Sequence, residues 1–161
     1  MAQMKYWTIT AAVLLAQTLG HPAYAEQSEV FSEENREDHN KKMVIEFYNK
    51  ALNDKDFEAA SQFLDDKYIQ HNPSAADGPE GLRGFIDFLR AEFPESHNEI
   101  KHVYADGEFV ILHVHSVRVP GTLGRAIVDI FRLENGKVVE HWDVIQDVPD
   151  PAEAKNTNGM F

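Results

Sequence analysis

The sequence contains no cysteine, which excludes thiol nucleophiles, thiolate metal sites and disulfide staples. Positive charge is scarce: 15 Lys and Arg stand against 27 Asp and Glu, for a formal charge of -12. A surface of that sign repels a phosphate backbone, so no nucleic-acid partner is expected. There is no G-x-S-x-G elbow for a serine nucleophile, no glycine-rich phosphate loop and no internal repeat. A long apolar run is missing too. The one apolar stretch lies near the N-terminus and is broken by Thr8, Thr10, Gln17 and Thr18, short of the ~20 residues that a spanning helix needs.

What that stretch does have is the grammar of an export leader. Lys5 gives a small positive start, an apolar run centres on Ala11 to Ala16, and Ala23-Tyr24-Ala25 fits an A-x-A cleavage site. Residues 1–25 are therefore read as a signal peptide and residues 26–161 as one domain, secreted or periplasmic, with no membrane association after cleavage. Without the leader the chain keeps 14 basic and 27 acidic residues, and it must build its stability from a packed core.

The firmest structural signal is RAIVDIFRLE, then Asn135-Gly136, then KVVEHWDVIQ. Two β-branched and aromatic runs around Asn-Gly predict an antiparallel hairpin with a two-residue turn. Counting outward from Glu134 opposite Lys137 puts Phe131 opposite Glu140 and Asp129 opposite Trp142, so Asp129, Trp142 and Gln146 are expected on one face, with His141 and Asp143 on the other. A carboxylate set among Ile127, Val128, Ile130 and Phe131 is costly to bury, and burial raises its pKa.

Upstream, residues 26–38 are polar and acidic and read as a flexible lead-in. Met43, Val44, Phe47, Tyr48, Ala51 and Leu52 form one helical stripe, and a shorter helix begins near Asp56. Tyr68 to Pro73 reads as a short strand. A third helix opens at Pro79 and buries Leu82, Phe85, Ile86, Leu89 and Phe93. Glu99–Tyr104 and Glu108–Val119 predict a second hairpin turning at Asp106-Gly107. The expected fold is α+β: a curved antiparallel sheet packed on three N-terminal helices, enclosing a cavity. Met160 and Phe161 end a polar tail and are expected to dock on the body.

The element order, together with YIQHNP at 68–73, DGPEGL at 77–82, HVHSV at 113–117 and VDIFRLENGKVVEHWDVIQ at 128–146, resembles the SnoaL-like polyketide cyclase family of the nuclear-transport-factor-2-like superfamily. The resemblance implies a cone-shaped sheet, homodimers and cofactor-free aldol chemistry. It implies an acid/base Asp at Asp129 and a histidine fourteen residues earlier, at His115.

On the residues themselves, Asp129 is a candidate general base acting α to a carbonyl on a small apolar ligand. His115 is its expected assistant, and His71, His113, Trp142 and Gln146 are expected to shape the pocket. Two other readings stand beside this one. His113-x-His115 with a third histidine would suit a metal ion, although no metal or other cofactor is expected, and the cavity would also serve a binding module without turnover.

Overall fold

The computed structural model describes the backbone of residues 22–161 and the side chains from residue 35 on. The leader expected over residues 1–25 falls almost wholly outside the described residues. Helix α1 spans Pro22–Tyr48 and runs into a π-helical segment at Asn49–Asn53. Helix α2 follows at Phe57–Ser61, strand β1 at Leu64–Gln70 and helix α3 at Gly78–Glu92. Strands β2 (His97–Asp106), β3 (Phe109–Val117), β4 (Arg125–Glu134) and β5 (Lys137–Asp147) complete the chain. They form one sheet in the order β1-β5-β4-β3-β2, with β1 parallel to β5 and every other pairing antiparallel. The sheet is curved and unclosed, with the helices on its inner side.

The expected flexible lead-in at 26–38 is instead part of α1. Low hydrophobicity suggested disorder, but the polar end of the helix has a tertiary task. Glu37 Oε1 accepts from the backbone N–H of Gly107, and Asn40 Nδ2 donates to the Gly107 carbonyl. Gly107, at φ +58°, thus sits in the β2–β3 turn clamped by α1. That turn occupies Gly107-Glu108, one residue later than expected, since Asp106 pairs with Phe109.

The other helices follow local rules. Asp56 caps α2 by accepting from the Ala59 N–H at 3.0 Å. Pro79 stands in the first turn of α3, where its missing N–H costs nothing. Val44, Phe47, Tyr48 and Ala51 from the first helix, with Leu82 and Ile86 from α3, pack on Val110, Leu112, Val114, Phe131, Leu133 and Val138 of the sheet.

The decisive feature is an extra residue in β5. Glu134 pairs with Lys137 and Leu133 with Val138, but Arg132 pairs with Glu140. Val139 is therefore a bulge, and Val138 and Val139 are consecutively buried, which a regular strand with one buried face does not allow. Beyond it the register differs by one from the simple count. Phe131 pairs with His141, Ile130 with Trp142 and Asp129 with Asp143. The expectation that Trp142 and Gln146 share the face of Asp129 is thus overturned: His141 and Asp143 share it.

The outer face carries Ile69, Tyr104, Phe109, Val128 and Val144, all substantially exposed and the last 68 % so. His71 stacks on Trp142 with centroids 4.3 Å apart. The C-terminal Phe161 also docks there, its ring 5.3 Å from that of His113 and 4.7 Å from that of His115.

Candidate functional site

A cavity of about 680 Å³ lies between the inner face of the sheet and the helices. Phe47, Leu52, Leu82, Phe85, Phe88, Leu89, Ile127 and Ile145 give it apolar walls. Its polar groups converge on Asp129, which is 4 % exposed. Strand alternation aims Asp129 inward with Ile127 and Phe131.

Two side chains hold that carboxyl. Tyr48, at the end of α1, donates its O–H to Oδ2 at 3.2 Å, and His141 Nε2 lies 3.0 Å from Oδ1. Phe131 fixes both partners, packing edge-on to Tyr48 and stacking on the His141 ring at 4.7 Å. The far side of the imidazole decides where the protons are. Gln70 Oε1 accepts the backbone N–H of Asn72 at 2.9 Å, so it is an acceptor, and His141 Nδ1, 3.0 Å away, must donate to it. With Nδ1 protonated, the contact between Nε2 and Asp129 contains one further proton, held either by the imidazole or by the carboxyl. Asp129 and His141 therefore form a proton-sharing pair.

Electrostatics favour keeping that proton. Burial pushes the Asp129 carboxyl above its ordinary value, while the hydrogen bond and charge of His141 and the bond from Tyr48 act against the shift. Burial also drives the Tyr48 phenol well up, reinforced by the charge of Asp129, so it remains a donor. Tyr68 is likewise raised, first by burial. Its hydroxyl accepts from Gln70 Nε2 at 3.2 Å, which leaves its own proton to offer. Asp143, beside Asp129, accepts both contacts of Asn72 Nδ2, at 2.9 and 2.7 Å.

One donor atom each from Asp129, His141 and Asp143 lie within 4.8 Å of one another, a set able to ligate a hard or borderline cation. In this arrangement the same atoms are engaged by one another, by Tyr48 and by Asn72.

The other expected site residues lie elsewhere. On β3, Val110, Leu112, Val114 and Ser116 are buried, so His113 and His115 alternate onto the outer face. His115 Nε2 contacts the Leu123 carbonyl at 2.8 Å, and His113 Nδ1 lies 3.4 Å from His102 Nδ1. His71, Trp142 and Gln146 are on that outer face as well, His71 meeting Glu140 at 3.0 Å. The structure thus brings none of these five to Asp129. The residues it does bring are Tyr48, Tyr68, Gln70, Asn72, His141 and Asp143. The sequence reading passed over half of them, which the spacing Tyr68-x-Gln70-x-Asn72 would have placed together, since alternate positions of a strand share a face.

The comparisons agree with this architecture. An NTF2-like protein of unknown function from Burkholderia xenovorans superposes with a TM-score of 0.61 at 18 % identity, over 76 % of this chain and 98 % of that one. TsrD from Streptomyces laurentii gives 0.56 at 20 % identity, over 66 % and 87 %. An NTF2-like protein of unknown function from Cytophaga hutchinsonii gives 0.56 at 18 %, over 66 % and 89 %. Such identities establish the fold alone. No curated protein matches the chain. The family description "SnoaL-like polyketide cyclase" matches residues 42–150, more than half of the sequence. The chain belongs to the SnoaL-like polyketide cyclase family.

Proposed function

We propose that the protein is an enzyme performing acid/base chemistry α to a carbonyl, an aldol cyclisation or an isomerisation, on a small and largely apolar molecule held in the cavity. The observation that carries this reading is the buried Asp129 with its single proton shared with His141, facing an apolar chamber. A carboxyl with raised pKa both takes and returns a proton near neutral pH. Asp129 is the base at the α carbon. With the proton already shared held by His141 Nε2, the carboxylate takes the α proton on Oδ2, the oxygen beside Tyr48, and returns it from there. We assign the Tyr68 hydroxyl to the developing enolate oxygen, because it is neutral, lines the cavity and has a proton to give. The same side chain donates to the oxygen as charge develops and releases it as the carbonyl re-forms.

Deuterium exchange at the α positions of a panel of cyclic and open-chain ketones, followed by NMR, tests the reading. Enzyme-dependent exchange that Tyr68→Phe slows by about tenfold or more is expected. Saturable binding without any exchange would indicate a binding module in its place.

Two further readings concern the whole chain. The first is a homodimer through the outer sheet face, since β4 has apolar residues on both sides and Val128 and Val144 are exposed. Light scattering should give about twice the chain mass, and Val128→Asp with Val144→Asp should give a folded monomer. A wild-type monomer at micromolar concentration would contradict it. The second is export. Mass spectrometry of the secreted or periplasmic fraction should find a chain beginning at Glu26, a cut that falls within the span of α1. A full-length cytoplasmic chain would remove that claim.

A further inference from the structure

Two arginines share the end of the cavity remote from the Asn135-Gly136 turn. Arg125 opens β4 directly opposite Ser116 of β3, and Arg118 lies two residues beyond Ser116; all three line the cavity. The Arg118 guanidinium sits 5.7 Å from the Phe85 ring centroid and 5.6 Å from that of Phe93. Both arginines are half-buried. Burial, then the charge of Arg125, lowers the pKa of Arg118 from its ordinary value. Among the described residues neither guanidinium has a hydrogen bond or an ion pair. Asp147, opposite Arg125 in the ladder, is solvent-exposed and makes no ion pair with it.

This is an odd place for two free cations. Acids outnumber bases in the chain by 27 to 15, so partners are not in short supply. The other arginines of the described fold show the contrast: Arg83 pairs with Glu58 and Glu80, and Arg132 with Glu134 and Glu140. Two like charges brought together in a partly dry pocket repel, and although the rings of Phe85 and Phe93 flank Arg118, no carboxylate among the described residues pairs with either guanidinium. A bound anion would offset that repulsion, and a guanidinium offers the planar fork that a carboxylate matches.

We infer that Arg118 and Arg125 form an anion subsite, and that the ligand of this cavity is an elongated, largely apolar carboxylic acid. Its carboxylate meets the two guanidiniums while its reactive portion lies against Asp129. The separation fits such a molecule. Arg125 and Asp129 are four residues apart on one face of a strand, about 14 Å between their Cα atoms at ~3.4 Å per residue, and the wall between them includes Ile127 and Ile145. The inference rests on the cavity being the ligand site but not on Asp129 being the base.

Calorimetric titration of the full chain with 6-phenylhexanoate and with its methyl ester separates the two ideas. The acid should bind at least tenfold more tightly than the ester. Arg118→Gln and Arg125→Gln should each erase most of that preference, Arg125→Lys should retain part of it, and the double variant should bind acid and ester alike. Asp129→Asn should keep the preference whether or not exchange chemistry survives, so failure of the catalytic reading leaves this result intact. Equal affinity for acid and ester in the wild type, binding of neither, or a preference that outlives both single substitutions would overturn the subsite. Circular dichroism on each variant confirms that the comparison is between folded proteins.

Discussion

Replacing Asp129 with Asn should lower any turnover in the cavity by about 10² to 10⁴, the usual contribution of a positioned proton-transfer group, while leaving the fold intact or slightly more stable at neutral pH. The two halves of this expectation have separate causes. Asn cannot take a proton, so the chemistry stops. Its amide can still serve both neighbours: the carbonyl oxygen accepts from Tyr48 and the Nδ2–H donates to His141 Nε2, the positions now taken by Oδ2 and Oδ1. The substitution therefore strands no partner, and it removes the cost of ionising a buried group.

The sign of the pH dependence follows from the raised pKa. Between the unfolded carboxyl's value, about 3.9, and the higher folded value, the native state holds more protons than the unfolded state. Stability of the wild type therefore falls as pH rises through that window. Below it the carboxyl is protonated in both states and contributes no difference. Melting curves of the wild type and Asp129→Asn should accordingly converge near pH 3 to 4 and separate towards pH 7, with the variant higher. A variant that melts well below the wild type at pH 7 and keeps its activity would show that the carboxylate is structural.

Phe131→Ala should remove roughly 3 to 5 kcal/mol of stability, the usual range for a buried phenylalanine. That is a large fraction of the 5–15 kcal/mol that holds a typical domain together. Phe131 is almost wholly buried, packs edge-on against Phe47 and Tyr48 at 5.8 and 6.3 Å, and stacks on His141. Its loss opens a hole directly beneath the proton-sharing pair, so the imidazole loses the surface that orients it. Chemical denaturation measures the first effect, and the histidine ring resonances in NMR report the second. A variant with wild-type stability and an unmoved His141 signal would mean that the core closes around the gap.

The fold was largely legible from periodicity. The helical stripe through Val44, Phe47, Tyr48 and Ala51, the Asn135-Gly136 turn and the α3 pattern each state one local preference that tertiary packing then respects. Asp129 was legible for the same reason, as a carboxylate inside an apolar strand. Its partners were not, because side-chain parity along β5 depends on a single bulge. Val138-Val139 is as acceptable in a regular strand as in a bulged one, and both choices keep apolar residues inside near the turn. The sequence count took the regular ladder, and that sent Trp142 and Gln146 inward and His141 and Asp143 outward. His113 and His115 were misplaced by a weaker signal: an H-x-H pair fixes a shared face but not which one. The polar start of α1 was missed because its stabilising contacts, Glu37 and Asn40 on Gly107, are long-range.

Val139 thus makes β5 behave like a text with one inserted letter. Everything downstream is read in the other frame, and the chemistry of the chamber is written in that frame. Pairing the same residues without the bulge would carry Trp142 and Val144 into the chamber and expel His141 and Asp143 with no change of sequence, whereas deleting Val139 would straighten the strand and keep the present frame, because Glu140 would still face Arg132. A one-residue slip in how the hairpin pairs can therefore exchange an entire catalytic lining in a single step, whereas point substitution would have to rebuild it one side chain at a time.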